Sequence, residues 1–121
     1  MGATDFTTIA TAKTAELAYQ EACSEARDYS GHQEGYSGDI QTCNGFVEIP
    51  ESYFKGMQRK TRVMILEALA LGDALGNPPS KKAIAVFASL RRLYRGTEKW
   101  GHCYAVKVAH NTYAFSGWAA C

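Results

Sequence analysis

The sequence has no apolar run that could cross a bilayer. Its longest, Val63–Leu71, is nine residues and is interrupted by Glu67, against the roughly 18–20 residues a span needs. The first residues, Met1-Gly2-Ala3-Thr4-Asp5-Phe6, lack the basic stretch and apolar segment of a cleaved signal, and Phe6 stands where a myristoylation motif carries Ser or Thr. A cytoplasmic location with no membrane partner is therefore expected. The four cysteines, Cys23, Cys43, Cys103 and Cys121, never fall within four residues of one another, which removes the paired half-sites of a structural zinc. Free thiols are the expected state in a reducing cytosol, and neither a metal nor a cofactor is expected. No internal repeat or low-complexity segment is present.

What the chain does have is enough apolar and aromatic content, 46% and 12% of 121 residues, for one folded domain over 1–121. Alanines and aromatics recur at helical spacing from Thr11 to Tyr29: Ala15, Ala18, Tyr19, Ala22, Cys23, Ala26 and Tyr29 share one arc, with Glu21, Glu25 and Asp28 opposite. Only Leu17 breaks the pattern. Gly31–Gly38 is glycine-rich and reads as a loop. Asn44-Gly45, set between Asp39–Thr42 and Phe46–Ile49 and closed by Pro50, is a strong hairpin cue. Glu51–Gly56 suggests a helical turn. A second long helix follows over Arg59–Leu75, left little polar surface by Val63, Met64, Ile65, Leu66, Leu69 and Leu71, and is broken by Gly76-Asn77-Pro78-Pro79. Ser80 is a candidate N-cap for a third helix, Lys81–Arg95, with Gly96 beyond it. On that helix Val86, Phe87, Leu90, Leu93 and Tyr94 share one face, and Lys81, Arg91, Arg92 and Arg95 the other. A second hairpin, His102–Ala109 and Thr112–Trp118, turns at His110-Asn111. The expected fold is α+β, in the order α-β-β-α-α-β-β, with an antiparallel sheet packed on helices.

The net charge of +1 conceals a division along the chain. Residues 1–51 hold nine acids against Lys13 and Arg27, a net −7; residues 52–121 hold eleven bases against Glu67, Asp73 and Glu98, a net +8. Such a split bears on partners. The basic side of the third helix, Lys81, Arg91, Arg92 and Arg95, is the first candidate for binding a partner. Lys55, Arg59, Lys60 and Arg62, with the acidic Glu21, Glu25 and Asp28, form a secondary set. Arg91 and Arg95 repel at i,i+4 on a helix, which calls for compensation by helix-one acids, within the monomer or across a homo-oligomer, or by an acidic patch on a target.

Chemistry has few carriers. His32, Tyr36 and Ser37 lie in the glycine-rich loop, whose amides could cradle an anion, but Gly-Lys-Ser/Thr is missing and Glu34 and Asp39 oppose negative charge. A structural turn is the favoured reading. His32, Glu34, Tyr36, His102 and Cys103 are the one set rich enough for acid–base or nucleophilic work. His102 and Cys103 are neighbours in a strand, however, so their side chains diverge. The balance leans against an enzyme. Trp100, Tyr104, Phe115 and Trp118 read as core and sheet packing ahead of a base-stacking platform.

Two stretches carry a resemblance: Gly31-His32 … Gly35-Tyr36-Ser37-Gly38-Asp39-Ile40-Gln41-Thr42 … Gly45-Phe46, and Lys99-Trp100-Gly101-His102 … Phe115-Ser116-Gly117-Trp118-Ala119. With these, the chain resembles small, mostly uncharacterised proteins of tailed bacteriophages and prophages. The resemblance covers about a third of the residues and assigns no catalytic residue. It implies a phage accessory protein in the host cytoplasm that binds and inhibits a host protein, such as a defence component. The alternatives are nucleic-acid binding through the basic half and a small enzyme or nucleotide binder using the His32 loop.

Overall fold

A computed structural model of the chain describes residues 2–30, 39–77 and 80–120. It is an α+β structure built on one four-stranded sheet: β1 (Ala3–Thr11), β2 (Phe46–Glu48), β3 (Cys103–Ala109) and β4 (Thr112–Ala120), in the order β1-β4-β3-β2. The helices are α1 (Ala15–Ser30), α2 (Arg59–Leu71) and α3 (Lys81–Arg91), with short 3-10 turns at Ile40–Thr42 and Glu51–Phe54. Antiparallel pairing joins β1 to β4 and β4 to β3, while β2 runs parallel to β3. The sheet is therefore mixed, not antiparallel throughout.

Helices cover both faces. On one, the alanine side of α1 (Ala15, Ala18, Ala22) lies close against Cys103, Ala105, Tyr113 and Phe115. Small residues let the helix approach, and three aromatic rings fill what remains: Tyr19, Phe46 and Phe115 sit with centroids 5.1–5.7 Å apart. On the other face, Ile65, Leu66 and Leu69 of α2 and Phe87 and Leu90 of α3 bury Tyr104, Val106 and Val108. The alternation along β3, odd positions towards α1 and even positions towards α2, follows from the pleat.

Several boundaries depart from expectation for local physical reasons. The expected order lacks β1, which pairs along its whole nine-residue length with β4. The expected first hairpin does not form. Asp39 instead caps the 3-10 turn, its Oδ1 accepting from Gln41 N at 3.0 Å, and Thr42 donates its hydroxyl to the Asp39 carbonyl at 3.1 Å while accepting from Ala120 N at 3.1 Å. These side-chain bonds replace a strand ladder. Asn-Gly serves a different purpose: Asn44 N donates to Gly101 O at 2.9 Å and Gly45 O accepts from Cys103 N at 3.1 Å, leading β2 into parallel register with β3. Helix α2 stops at Leu71 because Gly72 adopts a left-handed cap (φ +74°), its amide returning to Ala68 O. Helix α3 begins as expected, Ser80 accepting from Ala83 N at 3.1 Å, but ends at Arg91. The expected loop Gly31–Gly38, with His32, Tyr36 and Ser37, lies outside the described residues.

Candidate functional site

The division of charge in the sequence becomes a division in space. Glu16, Glu21, Glu25 and Asp28 are exposed on α1, on one side of the sheet; Lys81, Lys82, Arg91, Arg92 and Arg95, with Lys55, Arg59 and Lys60, are exposed on the α2–α3 side. Two packed layers of roughly 10 Å each separate the sets, beyond the Debye length of about 8 Å at physiological salt. Compensation of the α3 bases by α1 acids within the monomer is thereby removed. The i,i+4 premise also weakens, because Arg95 lies past the end of the helix, and Arg91 instead rests over the Phe87 ring at 5.7 Å. Among the described residues none of Arg91, Arg92 and Arg95 is ion-paired.

The exposed side of α3 is not uniformly basic. Ile84, half exposed at 49%, and the exposed Ala85 and Ala88 occupy its middle. Basic groups stand at both ends, about 15 Å apart at 1.5 Å per residue. The N-terminal group gains a member that the wheel did not single out: Lys82 Nζ donates to the Lys55 carbonyl at 2.5 Å, drawing the segment after the Glu51–Phe54 turn against α3. At the far end Leu93, expected in the core, is 66% exposed because the helix has already ended. Arg91 and Arg95, with Tyr94, border an open hollow of about 240 Å³ over Ala68, Leu69 and Gly72.

Arg62 does not belong to this surface. Its side chain is 11% exposed, pairs with Glu51 at 2.9 Å, and donates to the carbonyls of Met57 (3.1 Å) and Lys107 (3.0 Å). It clamps the start of α2 to β3. Arg59 and Lys60 remain exposed, beside Val63, Met64 and Glu67.

The chemical candidates are dispersed. His102 is exposed while Cys103 is fully buried; β3 begins at Cys103, so His102 stands just ahead of the strand expected to include it. Tyr104 and Phe115 are buried, Trp118 is partly so, and Trp100 departs from expectation at 45% exposed. Tyr104 is tied by its hydroxyl, which donates to Gly96 O at 2.8 Å and accepts from Gly96 N at 3.0 Å. Among the described residues no three of His, Cys, Asp and Glu are placed to hold a metal ion, and no helix is long and apolar enough to cross a membrane. No protein-family model, curated protein or solved structure matches the chain.

Proposed function

We propose that the protein acts by stoichiometric binding, seating the exposed side of α3 on an acidic surface of a partner protein and blocking it. The observation that carries this reading is the layout of α3: an exposed apolar middle, Ile84 with Ala85 and Ala88, between basic groups at both ends. An apolar centre rimmed by charge is the anatomy of a protein interface, and the charged rim speeds encounter with a complementary partner. In the phage setting implied by the resemblance, the partner is a host protein such as a defence component, and binding inhibits it. The test is capture from bacterial lysate by the wild-type protein, by Ile84→Asp, and by Arg91→Glu/Arg92→Glu/Arg95→Glu. Loss of the same partner in both folded variants supports the reading; retention in both overturns it.

The exposed Lys55, Arg59 and Lys60 extend the basic surface beyond α3 and favour a second reading, nucleic-acid binding. Backbone neutralisation makes affinity fall steeply with salt. Filter binding to single- and double-stranded DNA and RNA at two salt concentrations separates the readings. No binding below about 100 μM at low salt, weaker than ordinary non-specific association, removes the second.

A further inference from the structure

The two edges of the sheet are unlike. β2 closes one edge with three residues. β1 leaves the other open along nine, Ala3–Thr11, with no proline, no lysine or arginine and no bulge in its pairing with β4. Those are devices that ordinarily keep an edge from adding another strand. Which groups face outward follows from the ladder. Ala12 N donates to Asn111 O at 2.8 Å in the continuing β1–β4 register. Backbone N–H and C=O groups therefore turn to β4 at even positions and away from it at odd ones. Ala3, Asp5, Thr7, Ile9 and Thr11 carry the outward groups, and the side chains of the same residues are exposed. Among the described residues no strand pairs with this edge.

We propose that β1 is a homodimer edge: a second copy of the chain pairs with it antiparallel about a two-fold axis through Thr7, joining the two sheets into one. A strand whose outward groups repeat symmetrically about its centre is complementary to itself. In this register every outward residue meets an outward residue: Thr7 its own counterpart, Asp5 meeting Ile9, and Ala3 meeting Thr11. A slip of one residue opposes outward to inward groups and turns the side chains to the wrong faces. A slip that sets Asp5 against Asp5 opposes like charges and gives up part of the overlap. On the α1 side, Phe6 meets Thr8 and lies diagonal to Phe6 of the second copy, within reach of an aromatic contact.

Charge favours a copy of this chain as the occupant. Asp5 is the one charged residue of β1. Thr7 Oγ1 donates to Glu67 Oε2 at 2.7 Å, which sets α2 beside the outward side chains. α2 runs antiparallel to β1, because Arg62 reaches the carbonyl of Lys107, whose row across the sheet holds Tyr113 and Ala10. Val63 and the exposed Lys60, one and two turns before Glu67, thus lie towards Ile9 and Thr11. Pairing brings Asp5 of the second copy opposite Ile9, on the Lys60 side, and does so twice by symmetry. It also covers Ile9, now 39% exposed. This edge is separate from the α3 surface, so either reading stands or falls without the other.

The test is sedimentation equilibrium of the full chain over a concentration series, with amide exchange read residue by residue at both ends of it. The expected result is an equilibrium between one copy and two. The N–H groups of Asp5, Thr7, Ile9 and Thr11 gain protection with concentration, while those of Phe6, Thr8 and Ala10, already bonded to β4, do not. Thr7→Pro removes the outward N–H at the axis and spares the β4 ladder, so the dissociation constant should rise by about tenfold or more. Should that variant misfold by circular dichroism, Lys60→Glu, on open surface, should raise it in the same direction. A chain that remains a single copy up to about 1 mM overturns the proposal. So does a dimer whose protection falls on α1 or α3, or one that the folded variant leaves unweakened. Protection of the outward amides already present in the single copy would give the edge to a segment of the same chain, and overturns it equally.

Discussion

Tyr19 shows how much one side chain can hold at the residue scale. Its ring packs tilted against Phe46 and edge-on to Phe115, and its hydroxyl joins Cys43 O and Gly45 N, tethering α1 to the approach of β2. Tyr19→Phe keeps the ring and removes both bonds, so we expect a loss of about 1–3 kcal/mol, read as a lower urea midpoint with an unchanged slope. The same region sets an alkaline limit. Burial raises the ionisations of Tyr19 and Cys23, and the contact with Cys43 together with burial raises that of Cys103. Each folded-state value lies above its unfolded one. That stability is fully present below the unfolded values and is lost as pH rises, starting near 8.5 for the thiols and near 10 for the phenol. Cys43, held low, has the opposite sign and loses its contribution as pH falls. Urea midpoints should therefore decline between about pH 8.5 and 10.5, and in Tyr19→Phe the portion above about pH 10 should shrink; a flat profile would contradict this. Arg62 gives a parallel contrast: with three partners it should cost about 1–3 kcal/mol on replacement by Leu, whereas Lys60→Ala, on open surface, should stay within about 0.5 kcal/mol.

At the scale of elements, the join between the 3-10 turn at Ile40–Thr42 and β2 decides whether the sheet acquires its fourth strand. Gly45 sits at φ +98°, and a Cβ built there would lie 3.2 Å from His102 Cδ2. A β-branched residue meets both the backbone and the ring. Gly45→Val should cost about 1–3 kcal/mol, with hydrogen exchange rising first in Phe46–Glu48, because β2 has only three residues and one neighbour. Exchange rising first in β4, which is paired on both sides, would show that the strain spreads elsewhere. Helix α3 behaves differently. Its buried side rests on Ala83, Phe87 and Leu90, so changes at Ile84 alter what it presents and not how it packs.

The exposed helix faces are polarised across the sheet, Glu16, Glu21, Glu25 and Asp28 on α1 and Lys81, Lys82, Arg91 and Arg92 at the two ends of α3. The triple reversal of Arg91, Arg92 and Arg95 to Glu should leave thermal stability and mass in solution unchanged and slow association with the partner, since no described acid pairs with these groups. Reversal of Glu21, Glu25 and Asp28 to Lys should leave that association rate within a factor of about two at physiological salt, because screening acts over about 8 Å. A change of mass with either reversal would place acids and bases face to face between copies of the chain instead.

Elements built from neighbours in sequence were legible without the fold. The alanine arc of α1, the apolar run of α2, Ser80 ahead of α3 and the β3–β4 hairpin each rest on contacts spanning a few residues, which periodicity and capping chemistry record directly. The basic residues of α3 were legible for the same reason. The cues failed where a distant partner decided. Asn44-Gly45 carries the chemistry of a hairpin turn, yet Gly101 and Cys103, nearly sixty residues on, take its hydrogen bonds and turn a hairpin into a parallel strand. The threonine-rich β1 declares itself only through β4, at the other end of the chain. Arg62 looks like any surface base until Glu51 and two carbonyls enclose it. The placing of the α1 acids and the α3 bases on opposite faces is likewise settled by how the helices pack on the sheet. Spacing along a chain records what a residue's neighbours require, whereas burial and partnership across a sheet are settled by which segments pack together.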